Sequence, residues 1–173
     1  MIRSDEVIGK ILDGAGVKEG LRILDVACGT GVLIPDYLAR QVASVTAVDI
    51  SEEMVRIARS KFPQENVRIL CGDIEEVALE ETFDCIMVYN AFPHFPEPEK
   101  LIRVLSGLLA PGGTLTVAHG MSRAHIDAHH KGAASKVSMG LMHEDDLAAL
   151  MGKYLTVTVK LSDGSMYQVT ATK

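Results

Sequence analysis

Apolar residues recur along this chain in two rhythms, short continuous runs and one-sided stripes. The first stripe, Val7, Ile8, Ile11 and Leu12, has helical spacing, with Ser4 placed to cap it and Gly14 and Gly16 to end it. Leu21 to Val26 is a short apolar run closing in a glycine turn, the pattern of a strand buried on both faces. A helix is predicted over about Val32 to Arg40, where Pro35 is tolerated because it falls in the first turn. Ala43 to Ile50 reads as strand two. Ser51 then caps a helix over Glu52 to Lys61, and Val67 to Cys71 reads as strand three. Phe83 to Tyr89 is strand four. Lys100 to Leu109 carries Leu101, Val104, Leu105 and Leu108 on one helical face, and Pro111-Gly112-Gly113 stops it before strand five, Thr114 to Ala118. A last helix covers Glu144 to Met151. Leu155 to Leu161 and Tyr167 to Thr172 flank the turn Ser162-Asp163-Gly164-Ser165 and pair as an antiparallel hairpin.

Strands alternating with helices call for a parallel sheet covered on both faces. The expected fold is therefore α/β: a doubly wound, mainly parallel seven-stranded sheet with a C-terminal antiparallel hairpin. With no internal repeat and no linker, residues 1–173 are expected to form a single domain. Ligands of such sheets bind outside the carboxyl ends of the strands, where the strand order switches. Attention falls on the residues just after strands one to five.

Composition narrows the partners. The net charge is -6, which disfavours nucleic acid and anionic lipid, since both reward clustered Lys and Arg. No apolar run is long enough to span a bilayer, and MIRSDEVIGK has no apolar signal core. Cys28, Cys71 and Cys85 stand far apart, in no zinc spacing, which points to a reducing, cytoplasmic setting.

The first strand runs into Asp25-Val26-Ala27-Cys28-Gly29-Thr30-Gly31. Gly29 and Gly31 let the backbone turn sharply and come close to a ligand, though an ordinary βα turn has the same look. A dinucleotide site asks for a third glycine where this chain has Ile34. Asp25 repels phosphate and suits a cationic or zwitterionic ligand end. Cys28 reads as a small apolar filler rather than a nucleophile.

The run LRILDVACGTGVL resembles the first motif of class I S-adenosylmethionine-dependent methyltransferases. Further pieces follow in order: Asp49 in TAVDIS, Gly72-Asp73-Ile74, Phe83-Asp84, and Leu109-Ala110-Pro111-Gly112-Gly113. With VYNAFPHFPEP after strand four, the likeness is to small methyltransferases of the ubiquinone and menaquinone biosynthesis type. It implies that Asp49 holds the ribose hydroxyls, that Asp73 accepts from the adenine amine, and that Ile74 packs on the ring. It also implies a cofactor site completed by Asp25, Ala27, Cys28, Gly29, Gly31, Ile50, Met54, Gly72 and Asn90. Ala27 departs from the family's first loop glycine, and a methyl there is expected to be tolerated. Relatives of this type carry a longer N-terminal segment over the cofactor. The expectation here is a short or missing lid, leaving a pocket that is open, truncated, or completed by a partner subunit or second copy.

Methyl transfer from a sulfonium relies on positioning and desolvation, with a base needed only for a protonated acceptor. His94 and His119 follow strands four and five, and His129 lies in the segment expected to close over them. These three are the candidate catalytic residues, since imidazole titrates near neutral pH. A metal site from His94, His119, His125 and His129 is the alternative, without an acidic ligand pattern to accompany it. His143 sits where a helix N-cap is expected. Phe92, Phe95 and Met121 suit a substrate pocket and core packing equally well. The leading reading is methyl transfer to a small molecule. A cofactor-holding domain without turnover and a dinucleotide-dependent oxidoreductase stand as alternatives.

Overall fold

The fold was described from a computed structural model, in which residues 4–120 and 141–173 are described. Seven strands form one sheet in the order β3-β2-β1-β4-β5-β7-β6. These are β1 (Arg22–Val26), β2 (Ser44–Asp49), β3 (Val67–Cys71), β4 (Phe83–Tyr89), β5 (Leu109–His119), β6 (Thr156–Ser162) and β7 (Tyr167–Thr172). β1 to β5 run parallel, while β7 is antiparallel to β5 and β6. The expected sheet is the observed one.

Helices cover both faces. α1 (Asp5–Ala15), α2 (Ile34–Ala39) and α3 (Glu52–Lys61) pack Ile8, Ile11, Leu12, Ile34, Tyr37, Val55 and Ala58 on one face. α4 (Pro98–Gly107) and α5 (Glu144–Met151) pack Leu101, Ile102, Leu105, Leu147 and Met151 on the other. Among the described residues, no helix is long and apolar enough to cross a membrane. The central strands are buried on both sides, which is why they read as continuous apolar runs.

The caps follow the sequence. The Ser4 hydroxyl accepts from Val7 N–H at 3.3 Å and Ser51 from Met54 N–H at 3.3 Å. His143 Nδ1 accepts from Asp145 N–H at 3.1 Å, so His143 is the cap it was expected to be. Two elements are displaced most from their expected bounds. α4 begins at Pro98 and stops at Gly107, because proline needs no N–H partner in a first turn. β5 begins at Leu109 and runs straight through Pro111-Gly112-Gly113. A shift in its register with β4 between Phe83 and Cys85 absorbs the glycine turn, so the motif bends an edge of the strand rather than preceding it.

α1 is fastened at its C-terminal half. Arg40 donates to the carbonyls of Val17 and Gly9, Gln168 to that of Ile11, and Thr114 to that of Ala15. Its first turn, with Ser4, Val7 and Ile8, overhangs the carboxyl ends of the strands and forms part of the cleft there.

Candidate active site

The strand order reverses between β1 and β4, and the cleft opens at that point, outside the carboxyl ends. It has two halves that share Ala27. One, of 430 Å³, gathers Asp49, Ile50, Gly72, Asp73 and Ile74 with the segment from His94 to Glu97. The other, of 480 Å³, gathers Asp25, Cys28, Gly29 and Asn90 with Ser4, Val7, Val32, Leu33 and Tyr89.

The loop after β1 is built from left-handed backbone. Ala27 has φ 57°, Gly29 59° and Gly31 87°. Ala27 tolerates its conformation at a cost of about 1–2 kcal/mol, which a glycine would avoid. A Cβ on Gly29 would meet nothing within 4 Å, so the missing side chain leaves open space on the cleft side. Gly29 N–H donates to Asp49 Oδ2 at 2.8 Å, and Ser51 N–H to Asp49 Oδ1 at 2.9 Å. Each carboxylate oxygen keeps a second lone pair, enough to accept one hydroxyl apiece from a diol.

The nucleoside half has an apolar floor and rim. Ile74 is 4% exposed beneath it, whereas Ile50 is 72% exposed at its edge, an apolar side chain set out where a planar ring could cover it. Asp73 Oδ1 accepts from Glu75 N–H at 2.9 Å, which shapes the turn and leaves its second oxygen for a ligand donor.

Asp25 is the electrostatic outlier. It is 2% exposed, and burial pushes its carboxyl up to about 7. The buried Tyr37 hydroxyl pulls it back down and the charge of Asp49 adds to the rise. No Lys, Arg or His lines this half of the cleft among the described residues. A cationic ligand end would supply the missing countercharge. Burial also pushes the Cys28 thiol up, well above the usual thiol range, which leaves it an inert wall.

The structure separates His94 from His119, two of the three candidate catalytic histidines. His94 ends a short 3-10 turn, Phe92–His94, and lines the nucleoside half, exposed. His119 is 3% exposed and pairs with Tyr167, its ring edge-on at 6.1 Å. Its side chain therefore belongs with Val117 on the α4 and α5 face, away from the half that holds Asp25. His129 lies outside the described residues, as do His125, His130 and Met121. The four-histidine metal set is likewise not brought together by the described residues.

The other expected cofactor residues are placed as follows. Met54 is 40% exposed in the first turn of α3, beside the cleft residues rather than among them. Phe92 is core, while Phe95 lines the nucleoside half. A Cβ on Gly31 would stand 2.7 Å from Phe62 Cε2 and 2.9 Å from Ile34 Cδ1, so this glycine makes room for core packing. Asn90, at φ 56°, joins the ends of β4 and β5: its N–H donates to Ala118 O and its Oδ1 accepts from Gly120 N–H. Sequence reasoning missed Ser4, Val7, Leu33, Tyr89 and Gly120 on one side, and Glu75 and Lys100 on the other. Tyr89 had a legible signal, since it shares strand parity with Cys85 and Met87 on the α1 face.

With this geometry in view, comparison with known proteins is informative. The family described as "Methyltransferase domain" matches residues 24–117, more than half of the chain. The chain belongs to the methyltransferase domain family. A ubiquinone biosynthesis O-methyltransferase of Xanthomonas campestris pv. campestris (strain B100) is 38% identical over 100 residues, 56% of this chain and 41% of that protein. The matched stretch thus spans about two fifths of the curated relative's length. An S-adenosylmethionine dependent methyltransferase from Mesorhizobium loti shares the fold at TM-score 0.80, with 16% identity, covering 95% of this chain and 96% of that one. A Haloferax volcanii methyltransferase solved with its Trm112 activator gives TM-score 0.81 at 16% identity, covering 96% and 88%. The cofactor of this family is S-adenosylmethionine. The cleft fits it: two carboxylate oxygens for a diol, an apolar shelf for a ring and an uncompensated acid for a cationic tail.

Two outcomes follow. Gly31→Val should lower apo stability by about 3 kcal/mol, from steric overlap with Phe62 and Ile34 together with the strained φ. Thermal unfolding of the apo protein reads this, and an unchanged midpoint would show that the glycine serves the ligand instead. The second outcome concerns Asp25. Its folded value lies above the unfolded one, so ionisation destabilises the fold progressively as pH rises from about 4 to about 7. Asp25→Asn should remove that decline and leave the apo protein about 2–4 kcal/mol more stable at pH 8, while weakening cofactor binding. Apo melting curves across pH check it; a variant no more stable than the parent at pH 8 contradicts it.

Proposed function

We propose that this chain transfers a methyl group from S-adenosylmethionine to a small-molecule acceptor, through an acceptor oxygen. The single observation that supports this most is the cleft divided at Ala27, with Asp49 and Asp73 on one side and Asp25 and Gly29 on the other. The O-methyltransferase relative from Xanthomonas favours oxygen as the acceptor atom. The acidic lining, with Asp25, Asp49, Asp73, Glu75, Glu76 and Glu97, disfavours the phosphates of a dinucleotide and weakens the oxidoreductase alternative.

When bound, S-adenosylmethionine supplies an electrophilic methyl on a cationic sulfur. Asp49 orients the ribose, Asp73 takes the adenine amine, and Ile50 and Ile74 exclude water around the ring. Asp25 neutralises the cationic tail and thereby fixes the depth at which it sits. The described residues around the tail are largely apolar and would keep water from the sulfonium and the acceptor oxygen. The whole chain acts as one domain in the cytoplasm, where its three unpaired cysteines remain reduced. A partner subunit or second copy completes the acceptor side, as an activator accompanies the Haloferax structure.

Calorimetry with S-adenosylhomocysteine tests the assignment. Asp49→Ala should weaken binding by about 1.5–3 kcal/mol, the worth of a hydrogen bond to a charged group. Unchanged affinity would remove the ribose role, and tighter binding of NAD than of S-adenosylhomocysteine would overturn the reading.

A further inference from the structure

The tail of S-adenosylmethionine ends in an amino acid, so it brings a carboxylate into the cleft along with its cations. Asp25 answers the ammonium, and the carboxylate needs donors of its own. Asn90 has them. It follows β4 at φ 56°, a left-handed conformation that asparagine accepts more readily than most residues, and it lines the 480 Å³ half together with Asp25. Its backbone N–H donates to Ala118 O at 2.9 Å, and its Oδ1 accepts from Gly120 N–H at 3.0 Å. The second bond fixes which way the amide faces. A backbone N–H can only donate, so the atom it meets is the oxygen, and Nδ2 is the end left over. Among the described residues Nδ2 has no hydrogen-bond partner, and it is not sealed from solvent. A half-buried amide, held at its oxygen, thus keeps two N–H groups open to the cavity it lines.

We propose that the Asn90 side-chain amide holds the carboxylate of the cofactor's tail while Asp25, on the neighbouring strand, holds its ammonium. This rests on the cleft being the cofactor site described above. β1 and β4 are adjacent, with Asp25 paired to Met87, so the two charged ends of one amino acid are divided between neighbouring strands. Chemistry decides which end goes where. An acid repels a carboxylate, and the N–H groups of an amide offer an ammonium nothing to donate to. A neutral donor has a further use here: it meets the carboxylate without adding a cation, so Asp25 keeps the ammonium as its counterion.

Calorimetry compares S-adenosylhomocysteine with its decarboxylated analogue, which keeps the adenosine, thioether and ammonium and carries hydrogen in place of the carboxylate. Asn90→Asp preserves an oxygen for Gly120 N–H and suits left-handed backbone, but it turns the donor end into an anion. It should weaken S-adenosylhomocysteine at least about thirtyfold and leave the analogue bound at least as tightly as by the parent. A merely structural fault would weaken both ligands alike. Asn90→Gly relieves the backbone and removes the donors without adding charge. It should weaken S-adenosylhomocysteine about tenfold and hold the analogue within about threefold. The proposal is overturned if, in either variant that binds the analogue, the ratio of the two affinities stays within about twofold of the parent's or shifts toward S-adenosylhomocysteine. It is also overturned if neither variant binds the analogue at all, since Asn90 would then serve the fold. Failure of the parent to bind S-adenosylhomocysteine would instead overturn the functional reading on which it rests.

Discussion

The carboxylate of Asp49 accepts Gly29 N–H at 2.8 Å and Ser51 N–H at 2.9 Å, and these two bonds fasten the loop after β1 to the turn after β2. Hydrogen bonds to a charged acceptor are each worth about 1.5–3 kcal/mol, enough to offset the left-handed strain at Ala27. Cys28 N–H donating to Val48 O at 3.1 Å and Gly31 N–H to Cys28 O at 3.0 Å complete the fastening. Once it is fixed, the rest of the cleft follows. Ala27 becomes the saddle between two cavities, Asp25 is buried behind it, and the open face of Gly29 is turned toward the space that remains.

Acids set the chemistry of that space. Asp49 is satisfied by backbone donors, whereas Asp25 is buried with only a partial partner in Tyr37 and has its carboxyl raised accordingly. Such a group costs folding stability and repays it when a cation arrives, so the fold is least comfortable where it binds.

Much of this was legible in the chain. The parallel strands are continuous apolar runs because both faces are covered, and their ends fall where acids and glycines cluster. Asp25, Gly29, Asp49 and Asp73 could be placed at strand ends from their position alone. What escaped is non-local. The packing of Gly31 depends on Phe62, two helices and one strand later, and nothing near position 31 announces it. Pro111-Gly112-Gly113 looks like a stop, yet pairing with β4 carries the strand through it. His119 sits at a strand end as expected, but strand parity turns its ring toward Tyr167, while Tyr89 on the adjacent strand turns toward the cleft. Location along a strand decides the end of the sheet. Parity decides the face, and only the helices packed there give that face a function.

The central claim is that one cofactor spans both cavities across Ala27. A crystal structure of the complex with S-adenosylhomocysteine measures this directly. The account predicts adenosine in the 430 Å³ cavity with its ribose on Asp49, and the amino-acid tail in the 480 Å³ cavity within reach of Asp25. A ligand lying in the reverse direction, or one confined to a single cavity with Asp49 still bonded only to Gly29 and Ser51, would contradict it.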